Sequence, residues 1–337
     1  MCDITSPLSD PEPASDTACR IARAIARLAS LGDDAALGVL EAVACGKGAI
    51  PPLRAVLFGR EPSGLYEPRR RAVEALAGLH AHDVLAEYLA AYLSTGNTIA
   101  DPVEETGEEA VVNAAARTLA EWPDERALPL LLALTQRAPL AGVVDALAKL
   151  RRAEVMPYFV RALGEDFTRS AAEDALRSFG VEAAPLLLDA ARSRFPVDGQ
   201  ESPSSLRRRR SALALLAETE PIVTQLGPDP LGTGIDGFLD EQDPTLLVLG
   251  CRIVLARGAA AIASTAIRSL IGLLPTADLL LRAEIEDCLV AHFVVAREHI
   301  TEALREAGAT PEQMKFARAL RRVLARAAAV GGVRSDR

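Results

Sequence analysis

His80-Ala-His82-Asp83 is the densest group of potential ligands or proton carriers in the chain. Two imidazoles and a carboxylate within four residues could hold a divalent metal, provided that one or two further ligands converge on them. No such ligands stand at a recognisable spacing, so the group reads as a polar turn between two helices. Cys288-x3-His292 is a second pair, at i,i+4 spacing in an apolar helix pattern. A core thiol and a satisfied histidine are the ordinary occupants of such positions. Gly232-Thr-Gly234-Ile-Asp-Gly237 fits the GxGxxG string of dinucleotide sites. That string works between a strand and a helix, where the backbone can approach a pyrophosphate at the helix N-terminus. Here it follows Gly227-Pro-Asp-Pro230 with no strand pattern and reads as a flexible loop. No P-loop, HExxH, CxxC array or hydrolase elbow occurs. Paired acids such as Glu104-Glu105, Glu108-Glu109 and Glu284-x-Glu286-Asp287 suit helix N-terminal turns, where they complement the macrodipole. The sequence thus predicts no catalytic residue, no metal and no cofactor.

The elements that must position these residues are helices in a repeat. Pro129, Pro157 and Pro185 stand 28 residues apart twice over, each followed by an apolar run. A proline near a helix start costs nothing, because the first four N–H groups have no intrahelical partner anyway. A second helix follows each, built on Ala-x-x-Ala-Leu or a close variant, as in Ala72-Val-Glu-Ala75-Leu76 and Ala172-Glu-Asp-Ala175-Leu176. Its small residues allow close helix approach while the Leu fills the layer between. The terminal leucines form a ruler: Leu76, Leu119, Leu147, Leu176, Leu215, Leu255 and Leu289, with steps of 43, 28, 29, 39, 40 and 34. The long steps coincide with breaker-rich insertions at residues 94–107, 194–206 and 226–244, expected to leave the stack as loops. The expected architecture is therefore all-α: a right-handed α-solenoid of stacked antiparallel helix pairs over residues 17–329. A disordered leader over 1–16 and a flexible tail over 330–337 flank it.

Composition narrows the partners. Half of the 337 residues are apolar but only 4% are aromatic, which favours helix packing over a β-sandwich. A net charge of −9 opposes nucleic acid and anionic membranes as general partners. The five cysteines are scattered and odd in number, fitting a reduced, cytoplasmic setting. The most apolar stretch, residues 245–281, is broken by Arg252, Arg257, Arg268 and Pro275, which excludes a membrane helix there.

The alternation of a Pro-headed helix with an Arg-x-x-Ala-x-x-Ala-Leu helix resembles HEAT repeats, especially the short bacterial HEAT-like type found in phycobilin lyases. Residues 164–176 and 67–76 carry the resemblance best, and it covers roughly residues 33–293. It implies a fold that hosts scaffolds, adaptors and a few enzymes.

Two arginine series follow from the ruler. Arg69, Arg169, Arg208 and Arg282 stand seven residues ahead of a ruler Leu, nearly two turns, and share its buried stripe. They are expected to reach toward loop carboxylates of neighbouring repeats. The positions two and five or six before the Leu face away from that stripe. They hold Arg70, Arg71, Glu74, Asn113, Arg117, Asp145, Asp174, Arg209 and Arg210. In HEAT-like solenoids the second helices line the concave side, so these nine residues form the candidate binding surface. Its signs alternate, whereas a DNA groove would be uniformly positive. A charged protein segment is the expected partner, and a non-enzymatic scaffold or adaptor the expected function. The alternative is an enzyme-associated HEAT-like protein, of the bilin lyase or chaperone kind or, against its charge, a DNA-glycosylase-like binder. Trp122, before Pro123, is expected to fill a gap between repeats.

Overall fold

The computed structural model describes residues 14–59, 66–94, 101–122, 126–137, 140–218, 236–256, 260–308 and 310–334. They are almost wholly helical and divide into two compact units, Met1–Val155 and Met156–Arg337. The first unit holds α1 (Ala14–Arg27), α2 (Asp33–Ala44), α3 (Ile50–Phe58), α4 (Glu67–Gly78), α5 (His82–Ser94), α6 (Pro102–Leu119), α7 (Ala127–Thr135) and α8 (Ala141–Leu150). The second holds α9 (Met156–Ala162), α10 (Arg169–Phe179), α11 (Ala184–Arg192), α12 (Pro203–Glu218), α13 (Pro244–Ala256), α14 (Ala260–Leu273), α15 (Leu279–Ala291), α16 (Phe293–Glu306) and α17 (Pro311–Arg334).

In the first unit α2, α4, α6 and α8 pack one on the next, while α3, α5 and α7 form a second row against them. In the second unit the corresponding row runs α10, α12, α13, α15 and α17, faced by α9 with α11 and by α14 with α16. The seven ruler leucines fall one each on α4, α6, α8, α10, α12, α13 and α15, all in the first-named row of their unit, and all are buried. Burying one leucine contributes about 1.5–3 kcal/mol, so this periodic position organises each row. Alanines supply the close approach: Ala72, Ala75, Ala115, Ala116, Ala146, Ala172, Ala175 and Ala212 are buried on these helices. α6 and α8 approach closely: a Cβ at Gly142 would overlap the carbonyl of Asn113.

Pro129, Pro157 and Pro185 lie in the first turns of α7, α9 and α11, as the spacing predicts. Element boundaries differ from the expected ones where capping is local. Asp101 accepts from the Val103 N–H and starts α6, so residues 102–107 are helix instead of insertion. Residues 1–13 and 335–337 of the expected leader and tail lie outside the described residues, while α1 starts at Ala14 and α17 continues to Arg334. The insertion at 194–206 is a two-stranded hairpin, β1 (Pro196–Val197) with β2 (Gln200–Glu201), leading into α12. Asp198 and Gly199 at its tip take positive φ values of 52° and 80°, the backbone of a tight hairpin turn. Of the insertion at 226–244, residues 226–235 lie outside the described residues, and Asp236–Asp240 is a 3-10 turn packed on α13 and α14.

Among the described residues no helix is long and apolar enough to cross a membrane.

Candidate functional site

The nine candidate surface residues fall six in the first unit and three in the second, and each is tied into its own unit. Arg70 pairs with Glu67 and Glu74 along α4. Arg71 turns inward and donates two 2.7 Å hydrogen bonds to the carbonyls of Leu28 and Ser30, closing the C-terminal end of α1. Asn113 accepts from the Gly142 N–H at 2.6 Å and caps the first turn of α8. Arg117 reaches Asp145 at 2.8 Å across α6 and α8. On the second unit Asp174 holds Arg177 at 2.6 Å, and Arg177 also reaches Glu218 of α12 at 2.7 Å. Arg210 grips Asp243 ahead of α13 with two donors, and Asp243 in turn accepts from Leu246 N–H. Burial opposes the Asp243 charge, but these bonds outweigh it and hold its carboxyl below the usual range.

Arg209 corrects the expectation of an outward position. Its side chain is 1% exposed, donates to the Ala191 carbonyl at 2.6 Å, and bridges Glu201 of β2 and Glu241. The residue lies six positions before Leu215 and would face out on an isolated pair of rows. Here Glu201 of the hairpin and Glu241, ahead of α13, meet the guanidinium on that side of α12, which no helical wheel can show.

The inner arginines divide into two kinds. Arg69 is buried against Glu108 and Tyr88 and donates to the Leu57 carbonyl. Arg208 and Arg282 reach backbone carbonyls, Ser193 at 2.6 Å and Ala277 at 2.9 Å, instead of the expected carboxylates. Arg169 is half-buried and pairs with Asp166 in the turn before its own helix. Arg69 and Arg208 thus close the C-terminal ends of α3 and α11, while Arg169 makes a local ion pair.

The histidine group builds a stack at the α4–α5 turn. His80 adopts a left-handed backbone, φ 54°, at the C-terminal end of α4, a place usually given to glycine. The His82 ring stacks on Trp122 with centroids 5.5 Å apart and a 20° tilt. The Arg126 guanidinium lies 4.8 Å from the Trp122 ring centroid and pairs with Asp83 at 3.3 Å. Trp122 is thus half-exposed in a local stack instead of filling a gap between repeats. Burial and the neighbouring His80 push the His82 pKa below the ordinary histidine value, against the pull of Asp83 and Glu121. A protonated imidazole stacked on an indole quenches its fluorescence. Emission of Trp122, the only tryptophan, should therefore fall with a midpoint below pH 6.5, and His82→Leu should abolish the step. A midpoint at or above 6.5 would contradict the stacked, partly desolvated ring. The stability sign follows: His82 is harder to protonate when folded, so its contribution is intact above the unfolded value near 6.5 and weakens as pH falls through the folded value.

Among the described residues no three His, Cys, Asp or Glu side chains converge as a metal site would need. Cys288 is buried in α15, with His292 at the C-terminal end of that helix. Cys251 is also buried, and desolvation, with Cys288 nearby, pushes its thiol up to about 12, far from a reactive thiolate. Residues 232–235 of the glycine string lie outside the described residues. A cavity of about 140 Å³ between α1 and α2 is lined by Arg20, Arg23, Glu41, Ala44 and Cys45. Its arginines sit at the C-terminal end of α2, where the helix dipole already favours positive charge.

No protein-family model matches the chain, and a search of curated proteins found no match either.

Proposed function

We propose that this chain is a non-enzymatic scaffold or adaptor, a HEAT-like α-solenoid that grips a protein partner along the face lined by its ruler-bearing helices. That face would be the concave one of such a fold. The observation that carries the reading is the row order: every ruler leucine is buried in one row of its unit, so that row repeats the same outward positions helix after helix. Those positions alternate in sign, with Arg70 and Glu74, then Arg117 and Asp145, then Asp174. Their ion pairs are exposed, and such pairs contribute only about 0–1 kcal/mol each. A charged protein segment can therefore displace them at little cost, while the alternation discourages a phosphate backbone.

The test exploits a pair that can be reversed without being broken. Arg117→Asp with Asp145→Arg keeps the α6–α8 tie but inverts both charges. Co-purification from the native host should lose a partner with this swap, and with Arg70→Glu, while thermal stability changes little. Identical partner sets for wild type and both variants would remove these residues from the reading.

A further inference from the structure

The N-terminal end of α12 gathers features that stability alone does not call for. Phe167 stands in the α9–α10 turn with its side chain 95% exposed. That turn is fixed to α12: Arg207 donates to the Gly164 carbonyl at 3.0 Å and reaches Asp166 at 3.4 Å, and Gly164 lies against Ser204. The hairpin is fixed to the same place, through Phe195 N–H to Ser205 Oγ at 3.0 Å and through Arg209 to Glu201. It presents Phe195 at 55% exposure and Val197 at 59%. Three large apolar side chains are thus held toward solvent by segments hydrogen-bonded to one end of α12, where scattered exposed apolar residues would need no such support.

Under the Phe195 ring lies Arg208. Its guanidinium sits 4.1 Å from the Phe195 ring centroid, and one of its nitrogens donates to the Ser193 carbonyl. The residue is 8% exposed, and among the described residues its buried Nε–H finds no hydrogen-bond acceptor and no carboxylate pairs with it. Burial and the adjacent Arg209 charge push its pKa down despite Glu201. A buried cation without an acid is costly, and its natural complement is an incoming carboxylate. The nearby acids are already spent: Asp166 on Arg169 and Arg207, and Glu241 on Arg194 and Arg209. Arg192, exposed at the end of α11, pairs with no acid among the described residues.

We propose that Phe167, Phe195, Val197 and Arg208 form a docking patch for a protein segment that pairs apolar anchors with a carboxylate. The anchors lie across the two phenylalanines and Val197, and the carboxylate meets the Arg208 guanidinium at the edge of the Phe195 ring. An aromatic and arginine centre with polar surroundings is the usual anatomy of a binding hot spot. This inference rests on the protein-binding reading above, but it names a different surface and the partner's chemistry.

Selection of phage-displayed random linear peptides on the full-length chain tests it, followed by fluorescence polarisation with the selected peptides. Enriched sequences should combine Asp, Glu or a free C-terminal carboxylate with Leu, Ile or aromatic residues. Phe167→Ser should weaken their binding about tenfold or more, as should Arg208→Gln. The exposed Phe167 makes its variant safe for folding, so a loss there reports the patch alone. Binding that survives both Phe167→Ser and Phe195→Ser overturns the patch, as does enrichment of basic sequences. Peptides lost on the Arg117/Asp145 charge swap but not on the patch variants would keep the scaffold reading and discard this one. No enriched peptide would count against both.

Discussion

Arg209→Met should be among the most damaging single substitutions in the second unit, lowering its stability by about 3–5 kcal/mol, because breaking a buried ion pair strands its partners. The guanidinium joins three things that arrive from different parts of the chain: the α11 end through Ala191, the hairpin through Glu201, and the segment ahead of α13 through Glu241. Methionine fills a similar volume and satisfies none of them. Glu241 keeps Arg194 at 2.8 Å, which sets the loss toward the lower end of that range. Arg209→Lys should fall between, since an ammonium retains the charge but cannot span carbonyl and two carboxylates in one plane. Denaturant titration followed by far-UV circular dichroism reads the change as a shifted midpoint. A loss below about 1 kcal/mol would place Glu201 and Glu241 in water, as for an ordinary surface pair.

That arginine also marks where reading the sequence reaches its limit. The leucine ruler needs only one face of one helix, and a 3.6-residue period states which residues share it. Leu76 and Leu289 are therefore as legible as Leu147, despite unequal steps between them. An outward position is a different kind of inference, because it assumes that nothing else covers the helix. For Arg70, Glu74 and Arg117 that holds. For Arg209 the carboxylates that meet it come from two insertions on either side of α12, neither of which repeats. Arg71 fails for a similar reason, since the end of α1 lies beside it and offers the Leu28 and Ser30 carbonyls. Asn113 is claimed by the close approach of Gly142. The hairpin had a local signal in Asp198-Gly199, yet its strands are two residues long and show no alternation to read. Phe195 and Phe167 carry no period at all, so only the fold sets the Phe195 ring against Arg208 and ties the Phe167 turn to α12 through Arg207.

In the first unit the corresponding experiment is Glu108→Ala, expected to cost about 3–5 kcal/mol, again because a buried charge loses its counter-ion. Glu108 receives two hydrogen bonds from Arg69, at 2.6 and 3.1 Å, and one from the Tyr88 hydroxyl at 2.6 Å. All three residues are buried where α4, α5 and α6 meet. Burial works against the Arg69 charge, and the bond to Glu108 with the nearby Tyr88 more than restores it, so its pKa lies above the ordinary arginine value. Removing the carboxylate leaves Arg69 with the Leu57 carbonyl and the tyrosine alone. Tyr88→Phe deletes two hydrogen bonds from the cluster, the one given to Glu108 and the 3.3 Å one accepted from Arg69, and should cost about 1–2 kcal/mol. The decisive variant is the pair Arg69→Met with Glu108→Leu, which removes both charges and fills the space. It should recover most of what Glu108→Ala loses, since apolar replacements of buried ion pairs are often neutral. Trp122 lies in the same unit, so its emission follows this unfolding directly. If the double variant proves as unstable as Glu108→Ala, the cluster contributes through its hydrogen-bond geometry and not through the balance of buried charge.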